Sequence, residues 1–306
     1  GAGALGCANA EMLARSGVGN LTLIDRDYVE LSNLGRQQLF TEDDAREQLP
    51  KAVAAKRRLT SINSDIRLQA IVGEFSYENA EELLRDQDLI VDCTDNFDTR
   101  FVINDAAMKF DVPWVYGAVV KSFGMSALLK KGATPCFQCM METMPSDTMT
   151  CDTVGVIAPA VQMTASYQVA EALKYLVSGT VSGQLVSFDV WHYEQTHIHI
   201  ASFKKEWCPS CGTSASHPYL TREKGLKTAV LCGRNTVQIR PEQNRRLPLR
   251  EIGQRLKFAV EQVKGNDYLI SFHTETHRIV LFQDGRALIH GTNDISEARA
   301  IYHRYI

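Results

Sequence analysis

Short apolar runs alternate with longer amphipathic stretches through the first 120 residues of the chain. Residues 21–25 (LTLID), 66–72 (IRLQAIV), 88–95 (DLIVDCTD) and 114–120 (WVYGAVV) read as strands. Between them, 7–16, 77–86 and 97–110 have helical spacing, as does a charged segment over 42–62 that Pro50 interrupts just before Lys51. Strands separated by helices point to parallel pairing in a doubly wound sheet. Beyond Ser122 the rhythm changes, with strands expected at about 125–130, 184–190 and 197–203 around one long helix in GVIAPAVQMTASYQVAEALKYLVSG (155–179). That helix is apolar over most of its surface, which predicts a buried or subunit-interface element. Near the C-terminus a helix is expected at 248–263, a hairpin in RIVLFQDGRALIH turning at Asp284 and Gly285, and a last helix in ISEARAIYHRYI.

The fold class predicted is α/β, a Rossmann-like doubly wound sheet made mixed by the antiparallel strands that continue it, with a small C-terminal α+β module. The polar run SASHPYLTREKG places a linker at 214–225, between a main domain over 1–213 and the module over 226–306. The module shows no catalytic constellation.

Composition narrows the partners. The 306 residues are 44% hydrophobic and 23% charged with a net charge of -3, which gives no global attraction to nucleic acid or to an anionic membrane. No apolar run approaches the roughly 18 residues needed to cross a bilayer.

Chemistry concentrates where the predicted strands end, the place at which such sheets bind ligands. Gly1, Gly3 and Gly6 in GAGALG follow the G-x-G-x-x-G spacing that precedes a phosphate-binding helix N-terminus. A loop of this kind hangs on a buried strand, so a segment supplying that strand is expected ahead of Gly1. Asp25 ends the next strand, and Asp95 lies in CTDN at the end of a third. Asp25 follows Gly6 by nineteen residues, which also suits a dinucleotide dehydrogenase. Asn33, Arg36 and Gln37 cluster in SNLGRQ and Lys51 comes soon after; a cationic group of this kind suits a triphosphate better than hydride transfer. Asp95 also reads as a helix N-cap, a role that Asn96 fits equally.

Four of the eight cysteines form two C-x-x-C pairs, Cys136 with Cys139 and Cys208 with Cys211. Two such pairs favour a structural tetrathiolate zinc site, and a reducing cytoplasm, over disulfides or a redox pair. Cys7 and Cys93 fall on predicted buried faces and read as small core residues. Cys232 has no evident partner. His197 and His199 alternate on a strand and read as a polar strand face.

The run GAGALG…GVGNLTLIDRDYVELSNLGRQ…PK…DCTDNFDTR…PCFQC…TCDTVGV…CPSCG resembles the ThiF/MoeB family of adenylyltransferases, relatives of the ubiquitin-activating enzymes, over roughly residues 1–212. The resemblance implies that Asp25 binds the ribose of ATP and that Asn33, Arg36, Gln37 and Lys51 contact its phosphates beside the glycine loop. It implies Mg²⁺ on Asp95 at the reacting α-phosphate and Zn²⁺ on Cys136, Cys139, Cys208 and Cys211. One departure is Ala4, where the family often has glycine.

The implied reaction joins the C-terminal glycine carboxylate of a ubiquitin-like sulfur carrier, ThiS- or MoaD-like, to AMP with release of pyrophosphate, for thiamin or molybdopterin cofactor synthesis. A cysteine desulfurase or sulfurtransferase is a further implied partner. Family members carry a first strand preceded by an arginine-bearing segment that reaches the partner subunit, and a homodimer with 155–178 at or near its interface is expected here. Cys151, in a polar stretch before the long helix, reads either as a sulfur-handling thiol or as an exposed loop cysteine. Two alternatives stay open: a nicotinamide-dependent dehydrogenase, and a catalytically silent scaffold, against which Asp25, Arg36, Lys51 and Asp95 together argue.

Overall fold

The structure is a computed structural model, and it describes residues 1–141, 154–221, 230–231, 235–241 and 246–306. The chain divides into two units, Gly1–Glu42 with Pro50–Leu226, and Asp43–Leu49 with Lys227–Ile306.

In the first unit, α1 (Ala4–Arg15) leaves the glycine loop and β1 (Asn20–Asp25) follows. The charged segment forms two helices, α2 (Glu42–Arg46), which belongs to the second unit from Asp43 on, and α3 (Lys51–Ile62) of the first, because Pro50 at the α3 N-cap has no N–H to continue a helix. β2 (Arg67–Val72) pairs with β1 in parallel, Asn20 opposite Arg67 through Asp25 opposite Val72. A short helix α4 (Ala80–Leu84) leads to β3 (Ile90–Val91), α5 (Phe97–Phe110), β4 (Trp114–Val120) and β5 (Phe123–Leu129). After α6 (Phe137–Met140), the long helix α7 (Ala158–Ser178) and the hairpin β6 (Gln184–Asp189) and β7 (Glu194–His199) complete the unit. β3 to β7 form one sheet in chain order, parallel at β3–β4 and antiparallel thereafter.

Three expectations shift. The strand foreseen over 88–95 contracts to two residues because Asp92 turns the chain out of the ladder: its Oδ1 accepts from Thr94 N at 2.8 Å and Thr94 Oγ1 at 2.7 Å. The strand foreseen over 197–203 begins earlier and ends at His199, where pairing with Gln184 runs out, and Ala201–Phe203 is a 3₁₀ turn. The long helix buries Val161, Ala165, Val169 and Ala172 within its own unit, against α1, β4 and β5, and leaves Val177 86% exposed. Its apolar character is therefore explained in large part by this internal face.

The core beneath the site centres on Trp114, Phe101 and Phe137, with Tyr219 stacked on Phe101 at 4.6 Å. Residues 216–220 dock on this side, Tyr219 N donating to Asp105 Oδ2 at 2.7 Å.

The second unit is a six-stranded antiparallel sheet, in the order β10 (Glu261–Gly265), β11 (Leu269–His273), β12 (Arg278–Phe282), β13 (Ala287–His290), β9 (Thr236–Ile239), β8 (Val230–Leu231). Helices α8 (Leu249–Leu256) and α9 (Ile295–Tyr305) supply Leu249, Ile252, Leu256 and Ala298 to its core. The β12–β13 hairpin turns at Gly285, whose φ of +86° suits glycine. The helix expected over 248–263 stops at Leu256. Asn266 explains the change: its Oδ1 caps the β10–β11 turn by accepting from Tyr268 N and Leu269 N, which fixes 261–265 as a strand. Its Nδ2 donates to the carbonyls of Glu47 and Gln48, so 43–49 forms part of this unit.

Candidate nucleotide site and thiolate cluster

Two backbone constraints shape the glycine loop. A Cβ on Gly6 would lie 2.0 Å from the Gly1 carbonyl oxygen, and one on Gly1 would lie 2.7 Å from the Cys93 carbonyl oxygen, so both positions require glycine for close backbone approach. At Gly3 the nearest protein atom to such a Cβ is Gln37 Nε2, at 4.0 Å. Nothing in the described chain crowds Gly3, so its backbone face is open. Gln37 beside it is buried, and its Oε1 has no hydrogen-bond partner among the described residues. A helix N-terminus behind an open loop is the environment an anion fits, and the orphaned Gln37 Oε1 beside it suits a hydrogen-bond donor on the same ligand, such as a hydroxyl.

Asp25 ties this loop to β1. Its Oδ2 accepts from Ala2 N at 2.6 Å and its Oδ1 from Asp27 N at 2.7 Å. Asp27 in turn faces Lys51, with Nζ 3.5 Å from Oδ2 and only 5% of the lysine side chain exposed. Backbone joins the same pair, Lys51 N donating to Asp27 O at 2.9 Å. A buried ammonium costs several kcal/mol to desolvate, and a paired carboxylate offsets part of that. Glycine loop, Asp25, Asp27 and Lys51 are thus one connected set. Asn33 lies buried at the end of a 3₁₀ turn, Leu31–Asn33, where its Oδ1 accepts from Glu30 N. Its carbonyl receives the N–H groups of Arg36 and Gln37, and Arg36 Nη1 donates to Ser32 O at 3.0 Å.

Asp95 is exposed on the loop from β3 to α5. The N-cap of α5 is Asn96, whose Oδ1 accepts from Thr99 N at 2.8 Å and whose Nδ2 donates to Asp95 Oδ1 at 3.4 Å. Behind the loop runs a buried polar network. Asn9 Nδ2 donates to Gln168 Oε1 at 2.8 Å and to Cys93 Sγ, Gln168 Nε2 donates to Asp92 O at 2.7 Å, and Arg100 pairs with Asp92. Gly117 makes room for this: a Cβ there would sit 2.3 Å from the Gln168 amide.

The thiols of Cys136, Cys139, Cys208 and Cys211 all lie within 4.8 Å of one another, with neighbouring sulfurs at 3.4 to 3.8 Å. Sulfurs bound tetrahedrally at about 2.3 Å from one ion stand about 3.8 Å apart, so the four side chains fit such a metal. Helix α5 frames both knuckles. Asn104 Oδ1 accepts from Phe137 N at 2.8 Å, Asp105 Oδ1 accepts from Ser210 Oγ, and the same hydroxyl meets Gln138 Oε1. Within the cluster, hydrogen bonding from Cys136 draws the Cys211 thiol down to about 5, and the same contact pushes Cys136 up.

Comparison with known proteins decides the family. The sequence matches the ThiF family over residues 1–211. The chain belongs to the ThiF family. Among ThiF-family relatives, the sulfur carrier protein ThiS adenylyltransferase of Bacillus subtilis is 50% identical over 306 residues, covering 100% of this chain and 91% of the relative. The molybdopterin-synthase adenylyltransferase of Escherichia coli is 34% identical over 215 residues, covering 69% of this chain and 85% of the relative. Among solved structures, E. coli MccB with succinimide superposes with a TM-score of 0.60 at 23% identity, covering 69% of this chain and 65% of MccB.

In this ThiF-family chain the sequence pattern singles out Asp25, Asn33, Arg36, Gln37, Lys51 and Asp95, and in the structure the first five lie along one chain of contacts and close approaches around the glycine loop. It did not single out Asp27, Asp92 or Arg100. Asp27 carried a readable signal, a second acid two residues after a strand-ending one. Cys7 is a core thiol as expected, whereas Cys93 is only partly buried and packs against that core; desolvation pushes each thiol up to about 12. Cys151 and Cys232 lie outside the described residues. His197 and His199 sit exposed on β7, where His197 meets Gln184 and Gln195.

Proposed function

We propose that the chain adenylylates the C-terminal carboxylate of a ThiS-type, ubiquitin-like sulfur carrier with ATP, releasing pyrophosphate. The observation that carries this reading is the 50% identity to a ThiS adenylyltransferase along the entire chain, C-terminal module included. The site suits the chemistry. An α-carboxylate is ionised at neutral pH, so no base is needed to activate the nucleophile, and the obstacle is repulsion between two anions. Lys51 and Arg36 supply the positive charge that lowers this repulsion and stabilises departing pyrophosphate. Asp25 holds the ribose and the loop together, Asn33 and Gln37 offer polar contacts, and the open face at Gly3 admits the phosphates. Asp95 would hold Mg²⁺, which supplies charge neutralisation at the α-phosphate and commonly takes one or two carboxylates with substrate phosphates.

Zinc on the four cysteines and a homodimer complete the reading, the zinc serving structure. A cysteine desulfurase or sulfurtransferase would supply sulfur after adenylylation, with Cys151 as the thiol assigned to that later step.

Carrier-stimulated ATP–pyrophosphate exchange tests the proposal. A purified ThiS-type carrier is expected to stimulate exchange more than a MoaD-type carrier. Lys51→Ala and Asp95→Ala are each expected to lower the rate by about 10²–10³-fold, as loss of a transition-state charge contact does. Cys151→Ser should leave exchange near wild type. A MoaD-type preference would reassign the carrier, and no exchange with either would overturn the activity. A nicotinamide dehydrogenase would release no pyrophosphate, so one assay separates the two classes.

A further inference from the structure

The carboxylate of Asp95 is exposed, yet the two residues anchoring its loop are tied down from inside. Asp92 Oδ1 accepts from both Thr94 N and Thr94 Oγ1, which closes the turn just before Asp95. Arg100, one turn into α5, reaches back under this turn. Its Nε donates to Asp92 Oδ2 at 3.3 Å, and its Nη2 donates to Thr94 O at 2.6 Å and to Gly117 O at 3.0 Å. The guanidinium also lies 5.6 Å from the Phe97 ring centre and 5.3 Å from that of Tyr116. The arginine side chain is 7% exposed and that of Asp92 is fully buried.

A buried ion pair is a poor choice for stability, since an apolar pair of like volume does as well or better; its best-attested use is to specify one arrangement among several. Here one planar fork engages acceptors at three points of the chain, 92, 94 and 117, and so fixes the loop against β4. A lysine, with a single compact charge on a flexible stem, cannot span all three. We propose that Arg100, through Asp92 and Thr94, is a positioning residue for adenylylation: it holds loop 92–96 in the one conformation that presents Asp95 to its metal. The proposal rests on the reading of Asp95 as the Mg²⁺ ligand.

Arg100→Lys and Thr94→Val in the full-length chain test it, each first shown folded by circular dichroism and a cooperative melt. Two readouts apply: amide hydrogen–deuterium exchange over 92–99 in nucleotide-free protein, and the Mg²⁺ dependence of pyrophosphate exchange with a purified ThiS-type carrier. For Arg100→Lys, loop amides should exchange about tenfold faster while β4 and the rest of α5 stay as in wild type. Half-maximal Mg²⁺ should rise by about 10-fold, the lower end of what loss of an outer-shell partner does, with the saturated rate within about threefold of wild type. Thr94→Val, which deletes only the hydroxyl bond to Asp92, should move both readouts the same way by about threefold, and it decides alone if Arg100→Lys does not fold. Unchanged loop exchange, or a rate lowered equally at every Mg²⁺ concentration, overturns the proposal and leaves Arg100 a core-packing residue. Asp95→Asn runs in parallel. If its Mg²⁺ dependence matches wild type, the reading of Asp95 fails; if it shifts while Arg100→Lys does not, only the present inference fails.

Discussion

Burial sets the chemistry of single residues here, and the thiols beside the glycine loop show it most simply. Desolvation disfavours the thiolate of Cys7 and Cys93 and pushes both up to about 12, above their ordinary value. At pH 8 the reactive thiolate is then about one part in ten thousand at each site. Both cysteines should remain unmodified when the native protein is treated with iodoacetamide and read by mass spectrometry, with labelling rising about tenfold per pH unit while the fold holds. Rapid labelling of either at pH 8 would show that the loop region opens. At this scale the sequence was most legible where partners are near in the chain. Asn33, Arg36 and Gln37 lie within five positions, and their types alone suggested an anion site. Asp92 and Arg100 fall in the DCTDNFDTR motif with no role legible from it, and nothing in the sequence around Asn9 or Gln168 marks either residue. Those last two are 159 residues apart, and nothing local in either stretch announces that an amide pair will meet behind the loop.

Among the elements, α5 serves two places at once. Its first turns carry Asn96 and Arg100 beside Asp95, and its middle carries Asn104 and Asp105 against the two cysteine knuckles. Asn104→Ala would remove the acceptor for the buried Phe137 N–H, which holds the 136–139 knuckle. The expected result is a 10- to 100-fold loss, roughly, in zinc affinity by competition with a chromogenic chelator. Unaltered affinity would mean that the cysteines alone organise the site. The elements themselves were readable wherever periodicity was long and unbroken, as in α5, α7 and β4. They were misread where a side chain-to-backbone bond ends an element early. Asp92 truncates β3 in this way, and Asn266 fixes 261–265 as a strand where a helix is expected through 263. Such bonds depend on where the chain goes next, so periodicity cannot show them.

For the molecule as a whole, α/β class and a C-terminal α+β unit followed from the order of strands and helices, whereas the membership of 43–49 in the second unit did not. That short segment lies far from 227–306 in sequence and joins it through Asn266. Metal analysis of the purified protein should find about one zinc per chain, and stripping it with a chelator should lower the melting temperature before it weakens ATP binding. The outward face of α7, including Val177, is the surface on which a homodimer is expected to form. Light scattering at micromolar concentration should give twice the chain mass, and a monomer would remove this helix from the interface.

The spacing of the knuckles also bears on how the chain reaches its fold. Cys136 and Cys208 are 72 residues apart, and between them lie α7, β6 and β7. An ion that joins them closes a long loop around those elements. By the chain-entropy treatment used for disulfides, closing a loop of this length removes about 4–5 kcal/mol of freedom from the unfolded chain. Strand β5, just ahead of that loop, and β6, within it, then search a smaller space to pair. Metal loading early in folding would accordingly speed the slow, non-local pairing step, while loading after the fold is complete would change only how long the native state lasts.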